Sequence, residues 1–250
     1  MNEYISVIIP ILNEAQTIGT LLNHILETAS NDNILEIIVV DGGSTDGSIK
    51  SVNTFASRYN KLQRIETPSD TLKAIQTKCM LSGKGRAKQM NFGAKHAHGT
   101  ILYFLHADSF PPKNFDKYIL EVVEKGREAG CFIMKFDIQH WWLTLAGFLT
   151  KLNWKACRGG DQSLFITKAL FNKIGVYNES FTIYEDNDLI AKLYKIKQFT
   201  VIQKWLTTSA RRYQINGVWK LQFHFMVIHI KKSLGASPSS LTAYYKKHIV

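Results

Sequence analysis

The sequence predicts an α/β protein with a mostly parallel sheet flanked by helices and a helical appendage at its C-terminal end. Two buried-strand patterns, Ile5–Pro10 and Glu36–Val40, are separated by apolar residues at helical spacing over 17–29. Nearly continuous apolar runs are typical of strands that are covered on both faces. Strand, helix and strand in this order imply a right-handed crossover and parallel pairing.

The remaining elements follow from the same patterns. No structure is assigned to residues 69–84 from sequence, and the expected edge strand of the sheet is 131–138. The other predicted strands are 62–66, 101–105 and 200–203, and the other predicted helices are 48–59, 87–98, 114–128, 167–174, 185–193 and 217–233.

Composition indicates a folded chain of one main domain. The 250 residues are 45% hydrophobic and 20% charged, which excludes global disorder. The cysteines Cys79, Cys131 and Cys157 form no paired framework, so we expect a reduced, cytoplasmic compartment. We expect no signal peptide, and no uncharged apolar stretch is long enough for a spanning helix.

Positive charge is concentrated at the C-terminal end. The net charge is +11, and residues 189–250 contain 11 basic side chains and no acidic one. Charge in the first 188 residues is therefore balanced. Such asymmetry indicates an anionic partner, namely a diphosphate, an anionic lipid surface or nucleic acid, although a solvated basic face is the alternative.

Polar residues follow the predicted strands where those strands end. They are Asn13 with Glu14, then Asp41 with Asp46, and Asp108. Each alone fits a helix cap or a turn residue. Because open parallel sheets bind ligands outside the carboxyl ends of their strands, the set together predicts a ligand site at that edge.

Four motifs in order give the chain its family resemblance. They are VIIPILNE at 7–14, IIVVDGGSTDG at 37–47, GRAKQMNFGA at 85–94 and LHAD at 105–108. This pattern resembles the family-2 glycosyltransferases, over roughly residues 4–190, and looks closest to a small soluble bacterial subgroup. The resemblance implies the Rossmann-like A-type glycosyltransferase fold and transfer of a sugar from a nucleotide-diphosphate donor, with a UDP-sugar favoured. It also implies a transferase domain at 1–212, with a nucleotide-binding half at 1–110 and an acceptor half at 111–212. A basic amphipathic tail follows at 213–250.

The resemblance assigns the donor side to the first three motifs. Asp41 is expected to accept a hydrogen bond from the base, since a carboxylate suits the imide N–H of uracil. Glu14 is expected to help hold the nucleotide, and so are Pro10 and Asn13 of the same motif. Arg86 and Asn91 belong to the stretch expected to close over the base and ribose.

Asp108 matches the last carboxylate of the family's Asp-x-Asp metal motif, but His106 replaces the first. A divalent cation, Mn²⁺ or Mg²⁺, is the expected cofactor, and imidazole suits Mn²⁺ better. Because His106 replaces the first aspartate, the sequence leaves metal dependence open. The alternative is that His106 is a histidine at the rim that is hydrogen-bonded to a neighbour and binds no metal.

The later motifs carry the expected catalytic residues. Asp186, with Glu185 as second choice, matches the general base that takes the acceptor proton during inverting transfer. An acidic helix start is the alternative, because helix N-termini favour carboxylates. Arg211 or Arg212 is expected to stabilise the leaving diphosphate. The residues expected on the acceptor side are Gly160, Asp161 and Gln162, of which Asp161 could instead be a cap.

The predicted helix from Gly217 is apolar on two sides. Such a helix packs between two bodies, which here are the core and either a second subunit of a homodimer or a membrane surface. A peripheral position on the inner face of the cell membrane, with a lipid-linked or apolar acceptor, fits the basic tail.

Three rival functions remain at this point. A sugar-nucleotide nucleotidyltransferase is disfavoured, since no glycine-rich basic loop follows the first strand. A nucleic-acid-binding module lacks any recognisable motif, so we expect no nucleic acid as partner. A family member that binds nucleotide without transferring sugar stays open because of His106.

Overall fold

The computed structural model describes residues 3–30, 33–66 and 75–249. The strands are β1 Ile5–Ile11, β2 Ile34–Asp41, β3 Gln76–Leu81, β4 Ile101–Phe104, β5 Ser109–Phe110, β6 Ala129–Phe136, β7 Leu164–Thr167 and β8 Phe199–Thr208. The helices are α1 Ile18–Thr28, α2 Ser48–Glu66, α3 Arg86–His96, α4 Phe115–Glu124, α5 Trp141–Leu149, α6 Lys168–Lys173, α7 Glu185–Lys195, α8 Arg211–Asn216, α9 Val218–Ser233 and α10 Pro238–His248. Single 3₁₀ turns lie at Lys155–Cys157 and Gly160–Gln162.

The described strands form one eight-stranded sheet in the order β3-β2-β1-β4-β7-β6-β8-β5. β1 pairs in parallel with both β2 and β4, and β2 pairs in parallel with β3. The pairing places Ile11 opposite Asp41, so β1 and β2 end at one edge. β6 pairs in parallel with β8, whereas β7 pairs antiparallel with β4 and β6, and β5 pairs antiparallel with β8. The predicted α/β fold, with a mostly parallel sheet flanked by helices, is confirmed.

Helices cover both faces of this sheet. Along β1, Ile5, Val7 and Ile9 pack on one face with α1 and α4, while Ile8 packs on the other with α3, α6 and α7. This alternation is the period of two that a strand imposes on its side chains. Burial on both faces leaves the strand ends as the places where polar groups can gather.

Two strand predictions were wrong. Residues 62–66 continue α2 instead of forming a strand, and no Gly or Pro interrupts that segment. The third strand is β3, within the stretch that the sequence left unassigned, while residues 69–74 lie outside the described residues. The segment 131–138 was expected at the edge, but β6 lies inside the sheet. The reason is that β8 extends to Thr208 and pairs with β6 along its whole length.

The C-terminal helices form a small core of their own. Leu221 and Ile228 of α9 pack with Leu241 of α10 and with Phe181, which precedes α7. The predicted helix over 217–233 is thus confirmed as α9. No helix in the described ranges is both long and apolar enough to cross a membrane. The three cysteines, all described, are free thiols.

A buried carboxylate fastens the end of the sheet opposite to the strand ends described above. Glu36 is 2% exposed. It accepts hydrogen bonds from Ser6 Oγ at 2.8 Å and from the His98 amide at 2.6 Å, and pairs with Lys78 Nζ at 2.7 Å. Burial alone would raise the pKa of Glu36, but the bonds from Lys78, His98 and Ser6 outweigh it and the pKa is lowered.

We predict that Glu36→Gln lowers the free energy of unfolding by about 1–3 kcal/mol, because a neutral amide replaces the buried carboxylate that accepts from Ser6 and His98 and pairs with the half-buried Lys78. Urea unfolding at neutral pH measures this change. A lowered carboxyl pKa stabilises the fold above its unfolded value of 4.5, and this stability is lost as pH falls through the folded pKa. The difference should therefore shrink in acid. Glu27→Gln, at an exposed acid of α1, is the control, and equal losses from both variants would contradict the assignment.

Candidate active site

Two loops lock together beyond the ends of β1 and β2. The Asn13 amide donates to Ser44 Oγ at 2.8 Å, and Asn13 Oδ1 accepts from the Thr45 amide at 2.9 Å. The Glu14 amide donates to Ser48 Oγ at 2.8 Å. Asn13 has a left-handed backbone with φ 57°, which asparagine tolerates well. Asn13 therefore holds the rim in shape, while Pro10 lies half-buried near the end of β1.

Asp41 ends β2 with one carboxylate oxygen engaged and the other free. Its Oδ2 accepts from the Gly43 amide at 2.7 Å and the Ser44 amide at 2.9 Å. Its Oδ1 is buried and has no hydrogen-bond partner within the described part of the chain. The residue as a whole is 0% exposed. An unpaired buried carboxylate oxygen is costly, so this atom would gain from an N–H of a ligand that reached it.

Gln89 of α3 was missed by the sequence reasoning and ties the two strand ends together. Its Nε2 donates to Ile11 O at 2.7 Å and to Val40 O at 2.8 Å. Gly42 leaves the room for it, since a Cβ there would lie 3.0 Å from the Gln89 side chain. The sequence signal for Gln89 was a glutamine among the apolar residues of a predicted helix. That signal alone does not identify a buried role, because a glutamine whose partner is unknown fits a surface position equally well.

Arg86, at the start of α3, faces two carboxylates at the start of α7. Its Nε lies 3.1 Å from Glu185 Oε1, and its Nη1 lies 3.7 Å from Asp186 Oδ2. Glu185 is 1% exposed and Asp186 8%. Tyr184 precedes them with a left-handed backbone at φ 76°, so the helix begins abruptly with both acids in its first turn. The structure thus brings the Gly85–Ala94 motif onto the predicted catalytic pair.

The electrostatics of this cluster favour proton transfer near neutral pH. Burial and the neighbouring Glu185 carboxylate raise the pKa of Asp186 to about 7, although Arg86 opposes them. His106 Nε2 lies 3.9 Å from Asp186 Oδ2. Burial, followed by the charges of Arg86 and Arg212, lowers the pKa of His106 well below its usual value. His106 is therefore neutral at physiological pH and offers a lone pair.

A second acidic group surrounds Asp108. Burial raises its pKa, and so do the carboxylates of Asp161 and Glu14, while Arg211 acts in the opposite direction. Arg211 Nη2 lies 3.1 Å from Glu14 Oε1, so its guanidinium reaches this side of the site. No trio of His, Cys, Asp or Glu with metal-binding geometry occurs among the described residues. The neighbouring carboxylates nevertheless make this position favourable for a cation, because the same negative charges that raise the pKa of Asp108 attract a positive ion.

The two adjacent arginines point to different partners. Arg211 faces Glu14, whereas Arg212 Nη1 donates to the Tyr245 hydroxyl of α10 at 2.9 Å. Both side chains are exposed. Arg211 therefore lies beside the rim loop that carries Glu14, while Arg212 bonds to α10.

Asn91 braces α3 against the segment before α7. Its Nδ2 donates to Tyr177 O at 2.9 Å, and its Oδ1 accepts from the Tyr177 amide at 3.0 Å. The same Nδ2 donates to Glu179 Oε1 at 2.9 Å. Both polar atoms of Asn91 are engaged with protein groups in the structure.

Arg158 anchors the loop that carries the predicted acceptor residues. It is 5% exposed, and its Nη2 donates to Thr150 O at 2.6 Å and to Leu152 O. Its Nη1 lies 3.4 Å from Gln162 Oε1. Gln162 is thus buried as part of the loop's support, while Asp161, beside Gly160, is exposed toward the site. Arg158 was not predicted from the sequence, because an isolated arginine in a polar loop is typical of a charged surface residue.

Several curated proteins are similar in sequence to this chain. It is 26% identical over 208 residues to the probable glycosyltransferase YdaM of Bacillus subtilis, covering 77% of this chain and 47% of that one. It is 30% identical over 190 residues to the PGL/p-HBAD biosynthesis glycosyltransferase of Mycobacterium bovis, covering 73% and 66%. The chain therefore spans less than two thirds of the length of either relative.

Solved structures share the fold at low sequence identity. The mannosyltransferase PcManGT from Pyrobaculum calidifontis, in complex with GDP-Man and Mn²⁺, superposes with a TM-score of 0.67 at 18% identity. That match covers 100% of this chain and 68% of the other. Residues 1–349 of S. aureus TarS, in complex with UDP-GlcNAc, give a TM-score of 0.62 at 21% identity, covering 82% and 58%.

A family model also matches this chain. The model described as Glycosyl transferase family 2 matches residues 6–175, more than half of the chain. The matched range includes the two rim loops, Asp41, helix α3 with Arg86, and Asp108. The chain therefore belongs to glycosyl transferase family 2, a family of enzymes, and has its A-type fold.

Proposed function

We propose that this chain transfers a sugar from a nucleoside-diphosphate donor to an acceptor hydroxyl, with inversion and with Asp186 as general base. The observation that carries the proposal is the free, buried Oδ1 of Asp41. It lies at the sheet edge where open α/β sheets bind their ligands. The domain limits proposed with this function are 1–212 for the transferase and 213–250 for the tail.

The bonding of Asp41 favours uracil as the donor base. Uracil presents one imide N–H, which matches the single free oxygen Oδ1. Guanine presents an N1–H beside a 2-amino group and pairs best with two carboxylate oxygens. Here Oδ2 already accepts two backbone amides, from Gly43 and Ser44. We therefore propose a UDP-sugar as donor, with Glu14 and the rim loop around Asn13 supporting the nucleotide.

Asp108 and His106 are the residues that would hold a divalent cation. The Asp108 carboxylate is crowded by other negative charges, and the His106 imidazole is neutral, so both fit as ligands. A nitrogen and a carboxylate oxygen together suit Mn²⁺ better than Mg²⁺. A bound ion would neutralise the diphosphate. Arg211 supports this role, because its guanidinium already reaches the same side and can donate to the leaving β-phosphate.

Asp186 is proposed as the base and Glu185 as its support. Arg86 holds Glu185 at 3.1 Å but Asp186 only at 3.7 Å, and Asp186 is the more exposed of the two. In the proposed step the acceptor oxygen attacks the anomeric carbon as its proton passes to Asp186. The bond between that carbon and the diphosphate oxygen breaks. The loop of Gly160, Asp161 and Gln162 is proposed to hold the acceptor.

The alternative is a nucleotide-binding relative that transfers no sugar, and His106 in place of the first metal-motif aspartate favours it. Asp186, with a pKa near neutrality and an arginine beside it, favours catalysis instead. A transfer assay distinguishes the two, because only the transferase releases UDP faster when an acceptor is present.

We predict that Asp41→Asn weakens UDP binding by about 1–3 kcal/mol, as does Asp41→Ala. The Gly43 and Ser44 amides would hold the asparagine oxygen, so its NH₂ would face the uracil N–H and two donors would oppose each other. Calorimetry with UDP and GDP, with and without Mn²⁺, measures the effect. Unfolding without ligand serves as the folding control, and unchanged UDP affinity in a folded variant would refute the assignment.

We predict that Asp186→Asn slows transfer by about a hundredfold to ten-thousandfold while UDP binding stays intact, because a general base acts on the acceptor. Glu185→Gln is the matched variant on the adjacent carboxylate and should retain more activity. Initial rates at saturating donor make the comparison. If Glu185→Gln loses turnover while Asp186→Asn keeps it, the two roles must be exchanged.

We predict that the acidic limb of the rate profile lies near pH 7, because Asp186 must be ionised and its pKa is raised to about 7. Arg86 opposes that rise, so Arg86→Gln should move the limb to higher pH. His106→Gln should leave the limb in place, since the pKa of His106 is lowered away from this range. A limb that follows His106 instead would contradict the assignment.

The same pKa has a consequence for stability that needs no activity assay. A carboxyl pKa raised above its ordinary value of 3.8 gives stability that is present below that value and lost as pH rises through about 7. Asp186→Asn removes this dependence. The variant should therefore gain thermal stability relative to the parent above neutral pH, and scanning calorimetry at several pH values tests it.

A further inference from the structure

Two helices leave an apolar surface uncovered beside the site. We name it the α5–α9 face and define it by six side chains: Trp141, Leu145, Phe148, Trp219, Phe223 and Met226. In each helix the three residues lie at i, i+4 and i+7, so they form one stripe. Trp141 is 65% exposed, Trp219 55% and Phe223 54%.

The two stripes join at their first residues. The rings of Trp141 and Trp219 lie 5.6 Å apart, and Trp142 lies 5.3 Å from Trp219. The aromatic side chains at the beginning of α5 and of α9 thus contact one another. Contiguous apolar surface of this kind marks an interaction site more often than chance exposure does.

The opposite sides of both helices are already packed. Leu143 and Gly147 of α5 are buried, and a Cβ at Gly147 would lie 2.8 Å from Met134 O of β6. Leu221 and Ile228 of α9 are buried in the C-terminal core. The exposed stripes are therefore additional to what the fold needs.

Positive charge flanks these stripes and negative charge is absent from them. Neither α5 with the connection to residue 155 nor α9 contains an Asp or Glu. Lys151 lies 4.6 Å above the Phe148 ring, and Lys155 follows it. By helical spacing, Lys220 and Lys231 lie along one side of the α9 stripe. An occupant of this face must be apolar at its centre and negative around it.

We propose that the α5–α9 face docks on an anionic lipid bilayer. Tryptophan favours the membrane interface, and lysines extend from an apolar face to lipid phosphates. Helices with one apolar and one basic face lie in the interface plane. A second copy is disfavoured, since a two-fold contact would bring the lysines of one copy against those of the other.

Helix α9, which carries half of the docking face, also contacts the residue before the proposed catalytic pair. Tyr184, directly before Glu185, has its hydroxyl 3.2 Å from Nδ1 of His229 in α9, and the two rings lie 5.2 Å apart. Docking would therefore involve the same helix that contacts the beginning of α7. A lipid-linked acceptor follows from this, and that step rests on the proposed function, whereas docking itself does not.

Flotation of the full chain with vesicles tests the proposal. Vesicles of phosphatidylcholine alone are compared with vesicles of equal parts phosphatidylcholine and phosphatidylglycerol, at low and high salt. We expect binding to the anionic vesicles alone, and weaker binding at high salt. Lys220→Glu with Lys231→Glu should weaken it about tenfold or more, because each basic side chain near an anionic surface contributes substantially. Phe223→Ser and Met226→Ser should weaken it at either salt concentration.

The controls change the same residue types elsewhere. Lys95→Glu on α3 and Ile196→Ser at the end of α7 are exposed substitutions outside the face and should bind as the parent does. Cooperative thermal unfolding without ligand shows that each variant is folded. The proposal is overturned if the chain ignores anionic vesicles, or if the face variants bind as the controls do. It is also overturned if sizing shows a salt-insensitive dimer that the face variants dissociate while vesicles are ignored.

Discussion

The site depends on the parallel pairing of β1 with its two neighbours. Strands buried on both faces admit few polar side chains along their length, so the polar groups gather where the strands end. The register that sets Ile11 opposite Asp41 makes two of these ends coincide. Gln89 then holds the two strand ends together, because its side-chain amide donates to the backbone of both strands. The glycines and short polar residues of the rim follow from this geometry, because only tight turns fit between strand ends and helices.

Residues whose neighbours along the chain reveal their role could be predicted from sequence. The strand before Asp41 and its turn-rich loop form one local pattern, and so do the acids that begin α7. Gln89 and Arg158 could not be found, because their hydrogen bonds join segments far apart in the chain. β3 stayed unassigned for a similar reason. Lys78 interrupts the apolar pattern of this segment, and its charge fits a strand only because Glu36 pairs with it in the folded protein.

β2 carries two buried acids that differ in how their carboxylates are paired. Glu36 has a partner for its charge and fastens the sheet, whereas Asp41 keeps one oxygen free at the other end of the same strand. The paired Glu185 and Asp186 are a third arrangement, in which two carboxylates face one guanidinium. Charge is then incompletely balanced, which holds a proton near neutral pH at a cost in stability. Such local compromises are typical of functional sites.

The contacts of α3 constrain how this chain can be recombined. Arg86 reaches the start of α7, and Asn91 holds the backbone of Tyr177, so one short helix from the first half supports the second. A chimera that takes residues 111–212, the proposed acceptor half, from a relative keeps α3 but receives foreign partners for both side chains. Exchange of substrate specificity by swapping halves therefore requires co-transfer of Arg86 and Asn91 with the segment 177–186, and a crossover chosen by sequence position alone would separate them.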